Sequence, residues 1–186
     1  YFANNDTLDA RKAVGELYYK DRLSDLKISA LAHHKEIAEN VRTGRILLAN
    51  FKAMSVLIRP HFKEFDKIKN PEFAINGINA DAKRIEKFKA KNVSGGFTSA
   101  KEQGCKIVVI DLSKLEGKTP DFHNIATGII NRFRDFQTGN IQDCYVIMNG
   151  KAVKIDKNMF NGFDIKNKDE KGRLTKITEG ALNALL

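Results

Sequence analysis

The chain has 186 residues, with 32 Lys and Arg against 23 Asp and Glu, a net charge of +9. That length holds one domain with a sizeable core, or one domain with a helical appendage, and the apolar and charged fractions are those of an ordinary soluble protein. No apolar run approaches the ~18–20 residues that span a bilayer, so an integral helical membrane protein is excluded from the reading.

The basic excess favours a polyanionic partner such as nucleic acid, against the plainer alternative of a solvated basic surface. With no Trp, base stacking would fall to Phe or Tyr. Cys105 and Cys144 lie beside strand-like apolar runs without C-x-x-C spacing, which removes a zinc or redox signature and reads as buried thiols. No signal peptide is recognisable. The first residue is Tyr1 rather than Met, which reads as an excised piece of a longer polypeptide or a processed product.

In chain order, residues 8–52 read as helical. Gly and Pro are nearly absent, and Leu23, Leu26, Ala30, Ile37 and Val41 recur at helical spacing, with Thr43-Gly44 as a break or kink. Val56-Leu57-Ile58 is a strand stopped by Pro60. Residues 61–71 form a basic, polar loop, a hairpin follows, and residues 85–93 read as a mobile basic connector. Ser94-Gly95-Gly96 reads as a linker, or alternatively as a helix N-terminus offering N–H groups to phosphate. Phe97 to Gln103 is a short helix closed by Gly104. Lys106 to Leu112 is a central strand buried on both faces. Residues 114–120 form a Gly/Pro loop. Asp121 caps a helix over roughly 122–136. Cys144–Met148 and Ala152–Ile155 flank a second Asn-Gly turn. The tail from Lys157 reads as loose, with a short helix near 178–186.

The stretch from Asn70 to Lys83 carries the chemistry. Asn76-Gly77 is a strong signal for a type I′ hairpin, which needs φ > 0 at both central residues. That register pairs Ile75 with Ile78, Phe73 with Ala80 and Glu72 with Asp81. Alternation then puts Phe73, Ile75, Ile78, Ala80 and Ala82 on one face and Glu72, Asp81 and Lys83 on the other. Opposed carboxylates repel, so the arrangement makes sense with a cation between Glu72 and Asp81. Mg²⁺ or a similar divalent ion takes such ligands and supports phosphodiester hydrolysis. Lys83 would stabilise developing negative charge. A solvated surface ion-pair cluster is the plainer alternative.

Pro71-Glu72 on one strand and Asp81-Ala82-Lys83 on the next, within an αβββαβ order, resemble the PD-(D/E)XK nuclease superfamily. The run from Lys69 to Gly77, followed by Ala80–Lys83, is similar to nuclease domains at the C-termini of contact-dependent inhibition toxins and of some phage head-morphogenesis proteins. A helix bearing Glu (His34-Lys35-Glu36-Ile37-Ala38-Glu39) and a later Ala100-Lys101-Glu102-Gln103-Gly104 before an apolar strand complete the likeness, over about residues 34–155. Glu72 stands where that family has Asp, one methylene shorter. The resemblance implies a metal-dependent nuclease that cleaves tRNA or other RNA. Glu72, Asp81, Lys83 and a helix carboxylate would be catalytic, with Glu39 favoured over Glu36 for the last. It also implies a possible immunity protein as partner and action in the cytoplasm after delivery within a larger secreted or phage protein.

Arg59, His61, Arg84, Lys87, Lys89 and Lys101 are the candidate nucleic-acid contacts. A metal-free ribonuclease of the barnase, EndoU, colicin or RelE type would instead use His61 as general base with Lys83 or Arg59 on the phosphate. A non-catalytic nucleic-acid-binding domain is the further alternative. The expected fold is α/β (α+β): a mixed sheet with an αβββαβ restriction-endonuclease-like core, N-terminal helices and a C-terminal hairpin. It divides into an N-terminal helical segment 1–33, a nuclease-like domain 34–156 and a polar tail 157–186.

Overall fold

A computed structural model describes residues 19–20, 26–29, 32, 35–60 and 70–186. The mixed α+β architecture is as expected. Eight strands form one sheet in chain order: β1 (Tyr19–Lys20), β2 (Leu26–Ile28), β3 (Val56–Ile58), β4 (Phe73–Ile75), β5 (Ile78–Arg84), β6 (Ile107–Asp111), β7 (Asp143–Met148) and β8 (Lys151–Asp156). The pairs β2–β3, β5–β6 and β6–β7 are parallel and the others antiparallel. The described α-helices are α1 (Ile37–Asn50), α2 (Ala90–Glu102), α3 (Phe122–Ile130), α4 (Phe133–Gln137) and α5 (Lys168–Leu182).

Both Asn-Gly turns form as the sequence predicts. Asn76 and Gly77 have φ of 50° and 79°, Asn149 and Gly150 of 53° and 73°, the left-handed pair that a type I′ turn requires. Every residue of β6 is buried, as its apolar run implies. Alternation along β6 and β7 divides the core. Ile107, Val109, Tyr145 and Ile147 pack with α1 on one face of the sheet. Val108, Ile110, Cys144 and Val146 pack with α2, α3 and α5 on the other. Helix α1 touches β2 and β3 as well as β7 and β8, with the Phe51 ring edge-on to Tyr145 at 5.2 Å.

Four features differ from the sequence reading. Tyr19–Lys20 and Leu26–Ile28 are strands, not helix, the latter parallel to β3 because alternate burial of Leu26 and Ile28 satisfies the pleat, and most of the helical segment expected over 1–33 lies outside the described residues. Gly44 does not break α1. A side chain there would lie 2.9 Å from Leu26 Cδ1, so the glycine is where the helix meets the sheet. Helix α2 begins at Ala90 and runs straight through Ser94-Gly95-Gly96, so the connector is shorter than expected and the glycines are helical. The tail carries the fifteen-residue α5, N-capped by Asn167 through the amides of Asp169 and Glu170. Leu174, Leu182 and Leu185 insert into the core, which fixes a segment expected to be loose.

The helix expected over 122–136 divides into α3 and α4 at Asn131-Arg132. Asp121 caps α3 by accepting from the Asn124 amide at 3.0 Å. Among the described residues, no helix is long and apolar enough to cross a membrane.

Candidate active site

The β4–β5 ladder pairs Phe73 with Ala80, Ala74 with Asn79 and Ile75 with Ile78. One further step along this register sets Glu72 opposite Asp81. Phe73, Ile75, Ala80 and Ala82 are buried with α1, so alternation turns Glu72, Asp81 and Lys83 to the α2 face. The Glu72 carbonyl accepts from the Arg59 amide at 2.9 Å, which holds this end of β4 to the chain leaving β3.

Asp81 is 1% exposed, and Lys83 Nζ lies 2.6 Å from its Oδ2. Burial raises the Asp81 carboxyl above the usual range, and the hydrogen bond and charge of Lys83 pull it back only in part. Glu72 is pushed from 4.5 to about 7, first by burial and then by the charge of Asp81. Its Oε2 is buried with no hydrogen-bond partner among the described residues. Glu72 is therefore the less compensated of the two carboxyl groups. Within these residues, no group of three or more His, Cys, Asp or Glu is spaced to hold a metal ion, and the candidate donor set is the Glu72–Asp81 pair.

Of the two candidate helix carboxylates, Glu36 is the N-cap residue of α1 and Glu39 lies in its first turn. The charge of Glu36 raises both Glu72 and Asp81. Glu39 lies one helical turn on and pairs with Arg84 Nε at 3.0 Å, on the side of the sheet where Arg84 also donates to Asn40 Oδ1 at 2.7 Å. The α1-side cleft beyond it is lined by Glu39, Arg42, Arg84, Asp111 and Glu116. There Asp111 is 1% exposed, 3.5 Å from Arg42, and accepts from Thr43 Oγ1 and from the Ser113 amide. Asp111 thus holds a turn, as its position suggests, and also fastens α1 to the sheet.

Of the candidate nucleic-acid contacts, Arg59 lies on the site face, bonded through Nη1 to Asn79 Oδ1. Arg84 is alternate to Lys83 and committed to Glu39 and Asn40 on the other face. Lys87 and Lys89 are exposed just past the end of β5. Lys101 is bound to Asp135 at 2.6 Å. His61 lies outside the described residues, as do His33 and His34. The residues 157–173 pack by way of Phe160 and α5 against α3, α4 and β8.

Three site residues were missed or undervalued. Gln103 Oε1 accepts from the Asn70 amide at 3.2 Å, joining the end of α2 to the approach to Glu72. Cys105 begins the descent to β6, and its thiol is pushed up to about 12 by burial and by Asp81. Gly96 packs on the Lys83 stem. Gln103-Gly104 was visible as a motif, whereas nothing in the local sequence marks Gly96 as a contact. Comparison with family models, curated proteins and solved structures finds no match to this chain.

Proposed function

We propose that this chain is a metal-dependent nuclease domain that cleaves RNA, with tRNA as the substrate class the family resemblance implies. The observation that carries the reading is the half-buried Glu72 beside the buried Asp81, with Lys83 on the same face. Burying two acids side by side disfavours their ionisation unless positive charge is supplied, and here Arg84 and Lys83 offset that cost only in part. A hard divalent cation fits this donor set. Glu72, with its unpartnered Oε2, and Asp81 would hold it, and when bound it would supply charge neutralisation and a water of lowered pKa.

The chain's own residues have separate tasks. Lys83 holds Asp81 in place and offers an ammonium to negative charge that develops at phosphorus. Glu72, titrating near neutrality in the unloaded protein, can hold or release a proton at Oε2 within the working pH range. Lys87 and Lys89, exposed beyond β5, supply backbone contacts to the polyanion. A toxin-type origin would add an immunity protein that covers this face.

The test is cleavage of bulk tRNA and of plasmid DNA with Mg²⁺ or Mn²⁺, with EDTA as control and Asp81→Asn as the matched variant. Metal-dependent cutting that Asp81→Asn loses supports the reading. Parental cutting in EDTA overturns it and promotes the His61 mechanism. No cutting with any metal leaves a nucleic-acid-binding domain.

A further inference from the structure

We propose that Gly96 is a positioning residue for Lys83: the missing side chain in the middle of α2 is the slot that keeps the lysine ammonium on Asp81. The catalytic consequence rests on the nuclease reading, whereas the seating itself does not.

Helix α2 carries two adjacent interior glycines, and glycine is the poorest helix former after proline. The two differ in surroundings. A β-carbon at Gly95 would meet nothing within 4 Å, whereas one at Gly96 would lie 2.9 Å from Lys83 Cγ and 3.1 Å from Lys83 Cβ. Both contacts are to the near end of the lysine. The tip of a long side chain swings away at little cost, but Cβ and Cγ are fixed by the β5 backbone and one torsion. Relieving the closer, Cγ contact requires a change of χ1, and relieving the Cβ contact as well requires a retreat of α2 from the sheet. A change of χ1 redirects the whole stem and carries Nζ off Asp81 Oδ2, where it now lies at 2.6 Å. Retreat of α2 is opposed on its other side, where Gly128 of α3 already sits against Val93 and the Ala90 carbonyl with no room for a β-carbon. Gly96 is thus held between a rigid helix pair and the lysine stem.

Gly95→Ala and Gly96→Ala form a matched pair, equal in helix propensity and different only in what the new methyl meets. In the full 186-residue chain, crystal structures of both variants give the Lys83 Nζ to Asp81 Oδ2 separation. Steady-state cleavage with Mg²⁺ gives kcat and KM. Gly95→Ala is expected to keep the ion pair and parental kinetics. Gly96→Ala is expected to break the ion pair and lower kcat on the order of 10–100-fold with KM little changed, as small misplacements of a reacting group do. An intact ion pair in Gly96→Ala with the kcat of Gly95→Ala overturns the proposal. If the parent cleaves nothing with any metal, the nuclease reading fails, and the two ion-pair separations alone decide the role of Gly96. If Gly96→Ala does not fold, the Gly96→Ala/Lys83→Ala double variant removes the closest clash. Recovery of its cooperative melt supports the seating, and no recovery overturns it.

Discussion

Arg84 and Glu39 meet at 3.0 Å on the sheet face opposite Asp81 and Lys83, although Arg84 is the residue next to Lys83. One step along a strand reverses the face, so Glu39 is paired on one side of the sheet while Asp81 and Lys83 lie on the other. Glu36→Gln removes a charge that raises Glu72. The Glu72 midpoint, followed by ¹³C NMR of the carboxyl carbon, is expected to fall in Glu36→Gln and to stay in Glu39→Gln. Because Glu39 is half exposed, its loss is expected to cost less than about 1 kcal/mol of stability.

Glu72 makes stability depend on pH. Its carboxyl is raised from 4.5 to about 7 in the folded protein, so the native state binds the proton more tightly than the unfolded chain does. The favourable contribution is complete below pH 4.5 and is lost as pH rises through about 7. That shift corresponds to roughly 3 kcal/mol at ~1.4 kcal/mol per unit. Glu72→Gln is expected to melt with the parent near pH 4.5 and to melt higher above pH 7, by an interval that widens between those values. An interval independent of pH would show that Glu72 is not the titrating group.

Asp81→Asn is nearly isosteric and neutral. It is expected to abolish cleavage, to leave the fold intact and to raise the melting temperature slightly without metal, because burial disfavours the charged form of Asp81. Added Mg²⁺ stabilises a protein that binds it only when folded, and this increment is expected to vanish in Asp81→Asn. Lys83→Ala is expected to retain the increment and to lose about 10²–10³ in turnover, the scale of one lost charge-stabilising donor. Paired thermal melts and cleavage rates separate the two roles.

Asp111 is the polar fastening of α1 to β6. Asp111→Ala removes the acceptor of Thr43 Oγ1 and of the Ser113 amide while Arg42 keeps Glu116 and Arg84 keeps Glu39, and it is expected to destabilise by about 1–3 kcal/mol, the scale for leaving buried hydrogen-bonding groups unpaired. Urea unfolding at neutral pH measures it.

Lys87 and Lys89 are exposed on the same short segment. Replacing both by Gln is expected to reduce the magnitude of the log–log salt slope of RNA binding by about 1.5 for single-stranded RNA. An unchanged slope would remove them from the interface.

The site hairpin was legible because its register is local. Asn76-Gly77 permits one tight turn, and the alternating apolar residues then assign every face up to Lys83. The β6 strand was equally plain, its unbroken apolar run matching burial on both sides. Elsewhere tertiary contact overruled local pattern. Gly44 and Gly96 read as interruptions but are points of close approach, a property of the opposing surface that the helix sequence does not contain. Leu26 fits the helical spacing of Leu23 and Ala30 and also, with Ile28, the alternation of a strand, and parallel pairing with β3 decided between them. Helix α5 was hidden by its polarity, since only Leu174, Thr175, Thr178 and Leu182 of its length are buried, although the Asn167 cap ahead of Asp169 and Glu170 was there to be read.

The two cysteines give the molecule its own measure of opening. Cys105 and Cys144 are 2% and 0% exposed, and neither is in a disulfide. Alkylation therefore requires the core to part first. Cys105 sits at the hinge between α2 and β6, its amide bonded to the Ala100 carbonyl, so fraying of the end of α2 is enough to expose it. Cys144 lies on β7 between its neighbours β6 and β8, and is reached only when the sheet loses its helical cover. The ratio of the two labelling rates distinguishes a helix lifting beside the Glu72–Asp81 pair from collapse of the whole layer, and no foreign probe has to be introduced.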